Sequence, residues 1–439
     1  MRKGSEYVEL GEICTIKGGK RLPKDHELLE IETNHKYIRA RDIKNGKINF
    51  DQPVYINEKT YRIISRYIVN QGDVIITIVG ANIGDAAFVT DEFDGANLTE
   101  NAVKLVSNKS IVDSLFLKYA LVPDYMKYYF QTVASGAAQD KLGIYKIKRI
   151  KINLPPLKTQ RKIASILSAY DDLIENNLKR IKLLEEQAQQ TYEEWFVRMK
   201  FPGYETAVFD EDSGLPVGWE KVKIKDIGTV VTGKTPPTSK EGNYNGEIPF
   251  IKTPDMANFP YITETNQTLS ELGAQTQKGK YLPKNSLIVS CIGSAGAYAL
   301  VSKKAQTNQQ INAIKFNNEK FTFYTYGFAK NLKDLLGALG SNGATMTNVN
   351  KGKFENIEII KPENDLLNVF HNKVKNNFEV ILSLQNQNQL LKEARDILLP
   401  RLMSGMIDPS ASSGQVVESL EVNEQLGMIS ERENEHKKK

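Results

Sequence analysis

The chain has 439 residues, 40% of them apolar, with 58 lysines and arginines against 53 aspartates and glutamates. That composition supports packed cores and excludes a wholly disordered chain, and the length fits about three domains. With only two cysteines, Cys14 and Cys291, both in apolar runs far apart, buried free thiols are expected rather than a secreted disulfide framework.

In chain order, Val8, Leu10, Ile13 and Ile16 alternate loosely as a strand before Gly18-Gly19. Buried strands are expected over 67–79, and helices over 111–130. Leu154-Pro-Pro156 then marks a joint, after which Leu, Glu, Lys and Gln dominate. There Leu167, Tyr170, Ile174, Asn177, Ile181, Leu184, Ala188, Thr191 and Trp195 step by three and four, the seam of a coiled coil. A helix of about 40 residues would extend roughly 60 Å.

The whole layout then returns. Val8 to Lys20 matches Val222 to Lys234 at an offset of 214, and Tyr37 to Ile43 returns as 249–256. Ile75 to Gly80 returns as Ile288 to Gly293, Asn101-Ala-Val-Lys104 as Asn312-Ala-Ile-Lys315, and Lys146 to Pro155 as Lys353 to Pro362. Second strands and helices are expected over 281–292 and 321–339. A second seam runs through Val374, Asn377, Ile381, Leu384, Asn388, Leu391, Arg395, Leu398 and Leu402, with Asn177 and Asn388 as polar seam positions that can fix register. Two long helices, each trailing a globule, most naturally pair antiparallel. The period is far above that of solenoids; two copies of a whole module are present.

From Asp408 onward seven acids meet four bases, so the rest of the chain carries a net charge of +8. The tail reads as disordered. The remaining excess suits a polyanionic partner without requiring one. The N-terminal Met1-Arg-Lys-Gly-Ser-Glu6 has no apolar signal core, and the most apolar stretch, 286–301, is too short to span a bilayer. A soluble, cytoplasmic protein without membrane contact is expected.

Catalytic motifs fail on inspection. Gly228 to Thr235 satisfies the letters of a phosphate-binding P-loop, but Pro236-Pro237 follows where a helix must start. Asn153-Leu-Pro-Pro-Leu157 has no aromatic to stack on a flipped base. The four histidines lack metal spacing, and no Gly-x-Ser-x-Gly turn occurs. The polar loops instead suit DNA. Lys17, Lys20, Arg21, Arg39, Arg41 and Lys44 cluster in copy one; Lys234, Thr235, Thr238, Ser239, Lys240, Lys252 and Thr253 hold the corresponding places in copy two. Lys146, Lys148, Asn342, Asn348 and Lys351 add donors. Lys, Ser and Thr suit phosphates, while Arg, Asn and Gln read base edges.

With these segments in this order, twice, the chain resembles the specificity subunit of type I restriction–modification systems. The resemblance rests on Leu10-Gly-Glu-Ile13, Gly233-Lys-Thr-Pro-Pro237, Gly80 and Gly293, Leu154-Pro-Pro-Leu-Lys-Thr-Gln-Arg161, Ile163 to Asp172 and Leu398 to Gly405. It implies an α+β chain: two mixed α/β target-recognition domains in pseudo-twofold arrangement, separated by two long antiparallel coiled-coil helices. The expected boundaries are recognition domains at 1–156 and 201–365, spacer helices at 157–200 and 366–406, and a tail at 407–439. It further implies a non-catalytic subunit that reads a split site in double-stranded DNA and docks two methyltransferase subunits. Those partners would carry S-adenosylmethionine, with a restriction subunit as a further partner and no cofactor in this chain. The alternatives are a specificity subunit of another multi-subunit restriction–modification system, a coiled-coil scaffold with two protein-binding globules, and a nucleotide hydrolase using Gly233-Lys-Thr235.

Overall fold

In the computed structural model, which describes residues 6–135, 140–256, 259–293, 295–340 and 347–409, the first expected strand is interrupted. The Glu12 carboxylate accepts from the Glu9 amide (3.0 Å), so β1 (Glu6–Glu9) gives way to a one-turn helix α1 (Leu10–Ile13) before β2 (Cys14–Gly18). A carboxylate three residues past a helix start satisfies an amide that a strand would have paired. The chain divides into two compact units, Met1–Asp172 with Lys392–Lys439, and Leu173–Leu391.

Unit 1 continues through β3 (Tyr37–Ile38), β4 (Ile43–Lys44), β5 (Lys47–Ile48), α2 (Glu58–Ile64), β6 (Val74–Thr77), β7 (Ala86–Phe88), β8 (Asn97–Leu98) and β9 (Ala102–Ser107). Then come α3 (Ser114–Leu121), α4 (Asp124–Ala134), α5 (Ile144–Lys148), β10 (Lys151–Leu154) and the start of α6 (Leu157–Tyr192). A four-stranded antiparallel sheet in the order β2-β9-β6-β7 forms its centre, with α3, α4 and α5 packed on one side through Phe116, Leu117, Phe130 and Ile147. The strand expected over 67–79 is cut to four residues because Gly72, at φ +92°, turns the chain just before it. The helices expected over 111–130 are α3 and α4, separated at Pro123.

Unit 2 repeats this plan with β11 (Glu220–Lys223), α7 (Ile224–Ile227), β12 (Gly228–Thr232), β13 (Tyr244–Ile251), β14 (Tyr261–Ile262), β15 (Thr268–Leu269), α8 (Glu271–Gln275), β16 (Leu287–Ser290), β17 (Ile292–Gly293) and β18 (Tyr298–Val301). It ends with β19 (Gln306–Thr307), β20 (Ile311–Phe316), α9 (Phe321–Ala329), α10 (Leu332–Gly340), β21 (Thr347–Asn348), α11 (Lys351–Glu355), β22 (Glu358–Lys361) and α12 (Asn364–Ser404). Its sheet runs β12-β20-β16-β18-β14. The pairings Ile75 with Lys104 and Ile288 with Ala313 correct one match: Asn101-Ala-Val-Lys104 is two residues out of register with Asn312-Ala-Ile-Lys315. Side chains alternate faces with period two, so a two-residue slip preserves the apolar pattern and deceives the eye.

Both long helices pass through the unit boundary. Pro155 and Pro156 end β10, and the Gln160 amide side chain fixes the entry of α6 by donating to the carbonyls of Ile111 (3.0 Å) and Pro155 (2.8 Å) while accepting from the Asp113 amide (2.9 Å). In unit 2, Asn177 Nδ2 donates to Asn388 Oδ1 (2.9 Å), Asn388 Nδ2 to the Ile174 carbonyl (3.5 Å) and Asn377 Nδ2 to the Leu184 carbonyl (3.3 Å). Contacts that rise along α6 as they fall along α12 make the pair antiparallel within this unit. In unit 1, Arg395 of α12 reaches Asp171 of α6 at 2.8 Å, and Asp171 also binds Lys118 (2.6 Å) and the Tyr119 hydroxyl (2.7 Å). Leu167, Ile174, Asn177, Ile181, Ile381, Leu384 and Asn388 are buried; Tyr170, Leu184, Leu391 and Leu398 are half-buried.

Candidate nucleic-acid interface

Three segments converge in each copy, and glycine permits it. A Cβ on Gly19 would sit 2.1 Å from the Thr99 carbonyl, and one on Gly233 would sit 2.1 Å from the Asn308 carbonyl. Neither distance is compatible with a side chain, so the exit of β2 and of β12 lies flat on the segment after β8 and β19. The next amides complete the contact: Lys20 donates to the Leu98 carbonyl (2.8 Å), Lys234 to that of Thr307 (3.0 Å). The third segment joins through Thr99, whose amide donates to the Ile38 carbonyl (3.0 Å), and through Asn308, whose amide donates to that of Ile251 (3.1 Å).

Each third segment then forms a 3-10 turn, at Ala40–Asp42 and Thr253–Met256, closed by an aspartate. Asp42 accepts from the Arg39 amide and Asp255 from the Lys252 amide, both at 2.8 Å. Arg39 is held twice over: its guanidinium grips Asp42 at 2.8–3.2 Å and donates to the Gln52 carbonyl. Lys252 likewise donates to Gln267. These two cations belong to the frame.

Around it the copies diverge. Arg21 donates to Glu100 at 2.7 Å in copy one, where Thr235 donates to Gln309 at 2.6 Å in copy two. Burial pushes the Glu100 carboxyl up, but Arg21 and the Thr99 hydroxyl overcome it and hold the group below the usual carboxylate range. Lys17 stands exposed on β2, Lys20 lies 5.7 Å from the Tyr67 ring, Arg41 is exposed within the 3-10 turn, and Lys44 is exposed on β4 just after it. Thr238, Ser239 and Lys240 project from a loop tied down by Asn243 Nδ2 donating to the Pro237 carbonyl (2.9 Å) and by the Tyr244 hydroxyl donating to that of Pro236 (2.6 Å). Asn308, Gln309 and Gln310 occupy the heart of the copy-two cluster, and Thr253 donates to Gln310 at 3.4 Å. This neutral run carries no charge to mark it in the sequence; its amides, set between two short strands, are the available signal.

The other expected donors stand on different elements. Lys146 and Lys148 lie on α5, which packs against α1, and Lys351 on α11 is bound to Glu355 at 3.2 Å. Asn348 pairs with Ile292 between β21 and β17, and Asn342 lies outside the described residues. After β12 the chain from Gly233 to Pro237 forms neither helix nor strand and leads through a turn into β13, so the P-loop letters lack the helix N-terminus that phosphate binding needs. Among the described residues, no group of His, Cys, Asp and Glu could hold a metal ion, and no helix is long and apolar enough to cross a membrane.

The sequence matches the family model of the type I restriction modification DNA specificity domain over residues 2–186 and 216–366. The chain belongs to this family. It is 29% identical to the HindI specificity subunit of Haemophilus influenzae, over 85% of this chain and 94% of that one. It is also 29% identical to the MjaIX specificity subunit of Methanocaldococcus jannaschii, over 85% and 84%. The crystal structure of a type I restriction–modification S subunit from M. genitalium shares the fold, with a TM-score of 0.58 at 14% identity over 91% of this chain and 96% of that one. The two stretches matched by the family model correspond to the two copies of the repeat, and the first of them takes in most of α6.

Proposed function

We propose that this chain is the DNA-reading specificity subunit of a type I restriction–modification complex. Each copy reads one half of a split target in double-stranded DNA. The observation that carries the reading is the divergence of side chains on a shared frame. Gly19 and Gly233, Asp42 and Asp255 build the same three-segment junction, while Arg21–Glu100 and Thr235–Gln309 fill it differently. Two copies of one enzyme would keep their reactive groups; two readers of different half-sites keep the scaffold and change the contacts.

On this reading the chain catalyses nothing and holds no cofactor. Two methyltransferase subunits bring S-adenosylmethionine, a restriction subunit adds cleavage, and the complex works in the cytoplasm. Methylome sequencing of cells that carry the chain with its methyltransferase is the test. A bipartite motif with modified adenines in both halves is expected; a contiguous motif, or none, refutes it. Inserting about four residues within Glu185–Gln190, near one helical turn, should alter the gap and leave both halves unchanged.

A further inference from the structure

The α4–α5 face of unit 1 carries side chains that the frame does not need. Tyr125, Tyr128 and Tyr129 of α4 and Tyr145 of α5 are 46–67% exposed. Tyr129, Val133, Tyr145, Lys146, Arg149 and Ile150 line an open groove of about 240 Å³. Lys146 is spent internally, since its ammonium donates to the Val133 (2.7 Å) and Ala134 (3.1 Å) carbonyls and caps the C-terminus of α4. Lys148 and Arg149 are exposed, and among the described residues neither has an ion pair.

Unit 2 builds the same corner and decorates it oppositely. Lys353 repeats the cap, donating to the Leu339 carbonyl at 2.9 Å. At the places of Tyr128, Tyr129, Tyr145, Lys148 and Arg149 stand Asp334, Leu335, Gly352, Glu355 and Asn356. The corner of unit 1 is also continuous with the candidate interface. The Ile78 amide donates to the Asn101 carbonyl (2.8 Å), and the Ile78 carbonyl accepts from Leu142 (3.0 Å), one residue before the Gly143 that opens α5. Two hydrogen-bonded steps of about 5 Å each therefore link Asn101, next to Glu100, to Leu142 at the entry of α5.

We propose that this face grips the phosphodiester backbone of duplex DNA beside the half-site read by copy one, and that copy two has no such grip. Lys148 and Arg149 supply the charge, and the tyrosine hydroxyls supply neutral donors, the groups that contact phosphate without reading sequence. The proposal rests on the specificity-subunit reading for its ligand, and charge favours DNA over a protein partner. The consequence is an asymmetric footprint, with duplex held further out on one flank.

The test uses the assembled complex with its methyltransferase subunits and a salt titration of binding to target and to unrelated DNA. Lys148→Glu/Arg149→Asn, which gives unit 1 the residues of unit 2, should lower the slope of log affinity against log salt by about two for both DNAs. The methylated sequence should not change. Lys148→Arg/Arg149→Lys should retain the wild-type slope, and Lys148→Gln alone should lower it by about one. An unchanged slope in the double variant overturns the proposal. So does loss of a copurifying subunit at unchanged slope, which would make the face a protein dock. If the wild-type complex shows no sequence preference, the specificity reading fails separately, and the slope on unrelated DNA still decides the groove.

Discussion

Asn177 and Asn388 form a buried amide pair in the seam of unit 2, 7% and 4% exposed, and their coupling can be measured. Asn177→Ala leaves Asn388 Oδ1 buried with its donor gone; Asn388→Ala leaves Asn177 Nδ2 buried with its acceptor gone. A stranded buried polar atom costs about 1–3 kcal/mol, offset by up to about 0.7 kcal/mol of helix propensity gained with alanine. Each single change should therefore cost about 1–2 kcal/mol. The double change removes both amides and strands neither, so it should cost no more than one single change. The expected coupling is about 1–2 kcal/mol, and each single variant should unfold about 2–8 °C lower for a unit of this size. Tryptophan emission isolates the right unit, because both tryptophans of the chain, Trp195 and Trp219, lie in the unit 2 core. Additive single changes, with coupling near zero, would refute the description of this pair as mutually satisfied.

Gly233→Ala should lower the tryptophan-reported midpoint by a few degrees, since the new Cβ meets backbone; Gly19→Ala should leave it unchanged and weaken recognition of one half-site only. Burial pushes Asp171 up, but Lys118, Arg395 and Tyr119 outweigh it and leave the carboxyl below its ordinary value. Its contribution is present above the unfolded value near pH 4 and is lost as pH falls through the folded one. Asp171→Asn should thus destabilise unit 1 at pH 7 and flatten its acid dependence below about pH 4, read by differential scanning calorimetry. His371 is 5% exposed against Phe323, and burial holds it below the usual histidine range. Its neutral form is favoured on folding, so that stability is present above about pH 6.5 and declines as pH falls below it. His371→Phe should remove that decline from the tryptophan-reported midpoint; an unchanged profile would assign it to other groups.

Legibility in the sequence followed the physics of what each residue is needed for. Gly19, Gly233, Gly80 and Gly293 were visible in the repeat because close backbone approach or positive φ demands glycine in both copies. The seams were visible because each helical face must bury its stripe along the whole length. Strand register was not, since Asn101 and Asn312 resemble each other at a slip that keeps every side chain on its own face. Nor is the fate of a cation legible: Arg39 and Arg41 are two residues apart, yet Asp42 and the Gln52 carbonyl clamp the first closely, while Arg41 stays exposed with only long contacts to Asp42 (4.0 Å) and the Gln52 side chain (3.5 Å). Composition records a charge and not whether a carboxylate or carbonyl has already taken it.

The internal repeat supplies the missing criterion. Where both copies place a cation on the same element and hold it by hydrogen bonds, as Lys146 and Lys353 are held by helix-end carbonyls and Arg39 and Lys252 by Gln52 and Gln267, the charge caps a helix or braces a turn. Scaffold then accounts for it. Where one copy has an exposed cation with no ion pair among the described residues and the other has an acid or an amide at the same place, as with Lys148 and Glu355 or Arg149 and Asn356, scaffold does not require the cation. Fold stability changes by only about 0.5 kcal/mol with an exposed side chain, so a cation that one copy alone carries there is free to serve the surface it faces. By that criterion Lys148 and Arg149 outrank Arg39, Lys146 and Lys252 as DNA contacts. Replacing a residue of the first set should change DNA binding at unchanged stability, whereas replacing one of the second should lower stability first.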